Sequence, residues 1–125
     1  MHDGSSSHSL IQSKPKKQNI SGILLLDKPQ GISSNKAVQI TKHLFTAARC
    51  GHTGTLDPMA SGLLPLCLGE ATKFSSVMLG ANKSYEATLK LGYASTTGDS
   101  EGEITRLDTG NAQPDLQHCE LILKQ

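Results

Sequence analysis

Residues 21–45 read SGILLLDKPQGISSNKAVQITKHLF, and their order decides the fold class. Ser21–Lys28 (SGILLLDK) is a short apolar run closed by Pro29 and Gly31, the pattern of a buried strand that ends in a turn. Ser33 and Ser34 follow, and the hydroxyl of either suits a helix N-terminus. Ala37, Ile40, Leu44 and Phe45 then fall at i, i+3, i+7 and i+8, one face of a helix. Lys36 and Lys42 lie off that stripe, open to solvent or phosphate.

Downstream the pattern repeats with more interruption. Ala48–Gly62 (ARCGHTGTLDPMASG) has no period and reads as a structured loop. Leu63–Leu68 (LLPLCL) predicts a second strand, which Pro65 demotes toward a sheet edge. Ala71, Phe74, Val77 and Met78 make a helical stripe that stops at Gly80, a residue suited to the C′ position. Ser84–Leu91 alternates, with Tyr85, Ala87, Leu89 and Leu91 against Glu86, Thr88 and Lys90, which predicts a half-buried strand. A polar loop from Gly92 leads to a strand at Glu103–Arg106. Leu116, Leu121 and Leu123 begin a helix after Pro114. The expected fold is α/β (α+β), a mixed or antiparallel sheet with packed helices. The final helical pattern reaches Gln125 without a C-cap, which reads as a truncated element.

Residues 1–19 are polar and lack apolar periodicity, so a flexible tail is expected, with the folded part at 20–125. The stretch has no apolar core of the secretory type. It carries Ser and Lys but no Arg, so a mitochondrial transit peptide is a weaker reading than a cytoplasmic protein. No run approaches the roughly 18 apolar residues of a membrane span. The formal net charge of +1 conceals an asymmetry: residues 1–95 hold ten Lys and Arg against five Asp and Glu, and residues 96–125 hold two against six. A basic front suits a polyanion, although a solvated basic tail accounts for part of it. The three cysteines form no C-x-x-C pair, which argues against a disulfide framework or a cysteine zinc site.

The densest chemical signal is Gly51–Pro58, GHTGTLDP. Two Gly widen the backbone choice, two Thr stiffen the loop through local hydrogen bonds, and Pro58 restrains Asp57 toward an extended conformation. Such a loop can present one carboxylate rigidly. An aspartate is ionised at neutral pH without help and can serve as a nucleophile. On local pattern alone, an Asp-Pro turn with no chemical role is the favoured account. His52, five residues earlier, can stack on or hydrogen-bond a ligand, or be an ordinary polar residue. The phosphate-loop, serine-hydrolase, zincin and dinucleotide-binding patterns are all absent. Asp99–Glu103 lacks EF-hand spacing.

GHTGTLDPMASGLLPLCLGEATK at Gly51–Lys73 closely resembles the catalytic motif of the TruB family of tRNA pseudouridine synthases. Three more segments agree in order: GILLLDKPQGISSN (Gly22–Asn35) with the family's K-P-x-G segment, KSYEATLKLG (Lys83–Gly92) with its tyrosine strand, and TTGDSEGE (Thr96–Glu103) with its T-x-D-x-x-G turn. The resemblance runs from about Ser21 to Glu103. It implies an isomerase that converts uridine-55 in the T loop of tRNA to pseudouridine, with no metal or organic cofactor and tRNA, through its T-arm, as partner. Asp57 matches the nucleophile, attacking either C6 of the base or C1′ of the ribose. Tyr85 matches the tyrosine that packs on the target base, and His52 the histidine that holds the rearranged T loop. Lys28 and Pro29 match a motif that supports the aspartate loop. The family's later K-G-T-Y-I-R-like segment, with its arginine, does not occur here, nor does its C-terminal RNA-binding module. The chain therefore reads as the N-terminal part of a catalytic domain, inactive alone and monomeric when complete. A non-catalytic RNA-binding remnant, a box H/ACA-guided relative and an unrelated α/β domain with a structural aspartate loop stay open as alternatives.

Overall fold

The computed structural model describes residues 13–108, 110 and 114–125, so most of the expected tail, residues 1–12, lies outside the described residues. The chain divides into two compact units, Met1–Lys83 and Ser84–Gln125. Each is a mixed helix-and-strand structure with antiparallel pairing, as the sequence implies. Among the described residues no helix is long and apolar enough to cross a membrane.

In the first unit, β1 (Gly22–Lys28), α1 (Ser34–Leu44), β2 (Cys50–His52) and β3 (Gly62–Leu68) precede a 3-10 helix at Gly69–Phe74 and a short helix α2 (Ser75–Leu79). The sheet order is β1-β3-β2, antiparallel throughout. Directly opposed residues share a face. Leu24 lies opposite Leu66 and Leu26 opposite Leu64, and this face packs on Ala37 and Val38 of α1. Ile32, Cys50 and Leu56 complete the small aliphatic core. On the other face Leu25 and Leu63 remain mostly exposed.

Several expectations for this unit are corrected. The first concerns Pro65, which sits in the central strand and not at an edge. Within a strand, the N–H and C=O of one residue point to the same side. The Pro65 carbonyl faces away from β1 and accepts from the Thr53 N–H and Thr53 hydroxyl, both at 3.1 Å. The missing N–H faces that side too, so the β1–β3 ladder loses no bond. The second concerns the buried face of α1, which is Ser34, Ala37, Val38 and Thr41, while Leu44 is 73% exposed. Spacing by apolarity counts Ser34 as polar and misses that its hydroxyl is satisfied inside. The α1 N-cap is Ser33, whose side chain accepts from the Lys36 N–H. Gly80 does end α2, but in a right-handed conformation, not the left-handed one a C′ glycine supplies.

Gln18, within the stretch expected to be a tail, is tied to the link between α1 and β2. Its N–H donates to the Thr46 carbonyl at 2.7 Å and its carbonyl accepts from the Ala48 N–H at 3.0 Å.

In the second unit, β4 (Tyr93–Ser95) and β5 (Ile104–Arg106) form a hairpin, and α3 (Leu116–Leu123) begins at an Asp115 cap that accepts from the His118 N–H. Ser84–Leu91 is not a strand, contrary to its alternation, and Tyr85, Leu89 and Leu91 are exposed. A strand needs a neighbour for its backbone groups, and no described strand pairs with this segment. The hairpin turn is held by side chains. The Thr97 hydroxyl and the Glu101 N–H both donate to the Asp99 carboxylate, at 2.6 and 2.9 Å. These bonds, the Thr97 one first, hold the Asp99 carboxyl below the usual range. A Cβ at Gly102 would crowd the Thr97 and Ser95 hydroxyls, which would have to swing away from the turn they hold.

Gly69, at the end of β3, has φ +56, and a Cβ there would meet the Ile20 carbonyl oxygen at 2.2 Å. That neighbour is backbone and cannot swing away. Gly69→Ala is expected to lower stability by about 2 kcal/mol or more, combining the left-handed penalty of roughly 1–2 kcal/mol with displaced backbone. Gly22→Ala, with nothing within 4 Å, serves as the near-neutral control. Urea unfolding of both variants checks the contrast.

Candidate active site

Lys28 closes β1 with its side chain fully buried. Its ammonium donates to the carbonyls of Pro29, at 2.9 Å, and Ile32, at 2.8 Å. Among the described residues no carboxylate pairs with it. A desolvated ammonium is costly unless its protons are bonded, so the chain folds the Pro29–Ile32 turn around it. That turn then reaches the aspartate loop, because the Gly31 N–H donates to the Pro58 carbonyl at 2.7 Å.

The residue on the other side of Asp57 is held as firmly. Ser34, 2% exposed in the first turn of α1, donates its hydroxyl proton to the Leu56 carbonyl and accepts from the Leu56 N–H, both at 2.9 Å. One hydroxyl thus satisfies both backbone groups of a residue 22 positions away. Leu56 packs its side chain into the core. After Asp57 the chain turns, with the Ala60 N–H donating to the Asp57 carbonyl at 3.0 Å. The Asp57 side chain itself is exposed, and among the described residues it forms no ion pair.

His52 is the last residue of β2, not a loop residue as its surroundings in sequence imply. It lies opposite Leu66 and so on the α1 side of the sheet. Its Nε2 is 3.3 Å from the Asn35 side-chain oxygen, and its Nδ1 is buried without a partner. Asn35 follows Ser34 on the same helix end. The structure therefore brings Lys28, Pro29, His52 and the Asp57 loop into one neighbourhood of the first unit. Tyr85 belongs to the second unit, in an irregular exposed segment. Sequence reasoning missed Ser34 and Asn35 as site residues. The SSN run at 33–35 is their only signal, and it reads as capping chemistry.

The nearby cysteines offer no competing nucleophile. Burial pushes the Cys67 thiol up, and burial also raises Cys50, against an opposing influence of Lys42. Cys50 opposes Leu68 and Cys67 opposes Gly51, so the two thiols point to different faces. Among the described residues no group of three or more His, Cys, Asp or Glu is placed to hold a metal ion.

Comparison with known proteins decides the family. Residues 42–125 match the family model described as TruB family pseudouridylate synthase (N terminal domain). The chain belongs to the TruB family. It is 68% identical over 89 residues to the tRNA pseudouridine synthase B of Nitrosospira multiformis, an alignment covering 71% of this chain and 28% of that protein. Similarity to the proteins of the same name from Neisseria meningitidis serogroup A and Methylobacillus flagellatus is 63% and 65% identity over 94 residues, covering 75% of this chain and 31% of each. The chain thus spans about three-tenths of the length of these relatives.

Lys28→Met keeps the aliphatic stem and removes the donors. The Pro29 and Ile32 carbonyls then lose their partners, at about 1–3 kcal/mol for a buried group left unsatisfied. The relief of desolvating the ammonium offsets only part of this. A net loss of about 1–3 kcal/mol in chemical denaturation is expected.

Proposed function

We propose that this member of the TruB family belongs to a tRNA pseudouridine synthase that isomerises uridine-55 of the T loop, with Asp57 as nucleophile. The observation that carries this reading is the state of Asp57. Its carboxylate is exposed and in no ion pair among the described residues, while the backbone on either side is hydrogen-bonded to separate parts of the unit, Leu56 to Ser34 and Pro58 to Gly31. A structural Asp-Pro turn would be expected to use its carboxylate for capping or pairing. This one keeps its carboxylate at the surface, where a substrate can reach it.

The chemistry suits such a group. Isomerisation breaks the N1–C1′ bond and forms a C5–C1′ bond. The hydrogen on C5 leaves as a proton and N1 gains one, so the reaction is redox-neutral. A rigid carboxylate can add to C6 of the base or C1′ of the ribose and be expelled when the new carbon bond forms. A base stacked in its loop hides these atoms, so the nucleotide must be flipped out, at a cost of a few kcal/mol. Lys and Arg contacts to phosphates help offset that cost. His52, on the same side of the unit as α1, is the candidate for holding the opened loop, and Tyr85 for packing on the base. These two roles rest on the family resemblance.

The name shared by the relatives supports the substrate class, and the test uses their missing length. In a hybrid where this chain replaces the matching N-terminal part of the Nitrosospira multiformis protein, Asp57→Asn is expected to abolish tritium release from C5-labelled tRNA. Binding at fixed salt should hold, since it rests mostly on phosphate contacts. A residual single-turnover rate within about tenfold of the parent, only about 1.4 kcal/mol of barrier, would remove Asp57 from the nucleophile role. An RNA-binding remnant predicts binding without turnover in the parent hybrid as well.

The 125 residues alone are expected to release no tritium above background, because the K-G-T-Y-I-R-like segment and its arginine do not occur in this sequence. Release at the rate of the hybrid would overturn that expectation.

A further inference from the structure

Two consecutive side chains at the start of α1 reach the two parts of the site separately. Ser34 grips both backbone groups of Leu56, immediately before Asp57. Asn35 places its oxygen beside Nε2 of His52. We propose that the Ser34–Asn35 pair is the positioning element of the site, referencing the Asp57 backbone and the His52 ring to one helix end. This rests on the reading of Asp57 as nucleophile and His52 as an RNA contact.

The case for Ser34 is geometric. A hydroxyl offers one proton and two lone pairs, and here it gives the proton to the Leu56 carbonyl and accepts the Leu56 N–H. The bond pair removes rotation of the Leu56 peptide groups about the helix, so the Cα of Asp57 is fixed relative to α1. Ser34 is 2% exposed, which keeps water from competing for either bond. The Leu56 side chain in the core prevents the segment from sliding along the helix. A capping role does not account for Ser34, because Ser33 already caps α1.

The case for Asn35 is the ring it faces. The 3.3 Å contact is at the long end for a hydrogen bond, but the other ring nitrogen is buried with no partner. Among the described residues, the Asn35 oxygen is therefore the polar contact that restrains the ring. β2 is only three residues long, Cys50–His52, and His52 is its last residue. An external brace on such a terminal side chain is therefore consequential. Neither Ser34 nor Asn35 needs to touch the reacting atoms.

The two residues serve different steps, so their variants should separate kinetically. In the hybrid, Ser34→Ala is expected to lower kcat about tenfold or more, as misplacement of a reacting group does, with KM within about twofold. Hydrogen exchange of the peptide spanning residues 54–60 should accelerate more than that of β1 and β3. Ser34→Thr, which restores the hydroxyl, should recover the slow exchange. Asn35→Ala is expected to raise KM and the dissociation constant for tRNA about fivefold or more, with kcat nearly unchanged. The proposal falls if Ser34→Ala leaves kcat within about twofold, or if exchange rises uniformly along the chain, the signature of simple loss of stability. It falls also if Asn35→Ala changes kcat and not KM. Asp57→Asn run alongside separates the two readings. Retained turnover in that variant sinks the nucleophile, whereas a dead Asp57→Asn with a fully active Ser34→Ala sinks the positioning role alone.

Discussion

The buried ammonium of Lys28 is the constraint on which the rest of the first unit depends. A charge taken wholly out of water must have its protons bonded, and here the acceptors are the carbonyls of Pro29 and Ile32. That requirement folds the four residues after β1 into a turn and so fixes where α1 starts. It also leaves Gly31 pointing its N–H at Pro58. The strand, the helix and the aspartate loop are thereby assembled around a cation that never meets solvent. A carboxylate partner would neutralise the ammonium more fully, but it would put a second charge inside. Carbonyl dipoles bind the ammonium without placing a second charge inside.

Much of this was legible in the sequence and some was not, for identifiable reasons. The apolar run at Ser21–Lys28 and the serine pair at 33–34 locate β1 and the start of α1 within a residue. The aspartate loop stands out by its Gly, Thr and Pro content. What could not be read is anything carried by contacts distant in sequence. Ser34 is inside because Leu56, 22 residues on, satisfies its hydroxyl. Pro65 is tolerated in a central strand because its ring faces the side where no ladder bond with β1 is due. Ser84–Leu91 has a strand's alternation but no described partner strand, and alternation alone supplies no hydrogen bonds. His52 looked like a loop residue because β2 is too short to show a period.

Family membership and site geometry answer different questions. The match over residues 42–125 and the identity of 61–68% to several synthases establish descent. They do not say which side chains hold the loop. Lys28, Gly31, Ser34 and Asn35 all precede the region the family model matches, yet three of them bond to Leu56 or Pro58 or face His52. The aspartate motif is therefore only half of the site. The other half is the strand–turn–helix segment before it, and a piece beginning at residue 42 would carry the motif without its support.

The charge of the unit needs the same correction from count to placement. The basic excess of residues 1–95 suggests a phosphate-facing surface, but the cations are not equivalent. Lys28 is internal and cannot reach a phosphate. Arg49 and Lys73 both engage Glu70, whose carboxyl is held below its usual range first by Lys73 and then by Arg49. Such exposed pairs are weak, typically about 0–1 kcal/mol, and a phosphate can displace the carboxylate from either partner at little cost. Glu70 therefore acts less as a lock than as a holder that keeps two long side chains extended near the end of β3. By contrast, Lys83 spends its donors on the carbonyls of Leu79 and Ala81, and its charge is available only at the distance those bonds allow. The cations of this unit thus differ in how loosely they are held, which their number does not show.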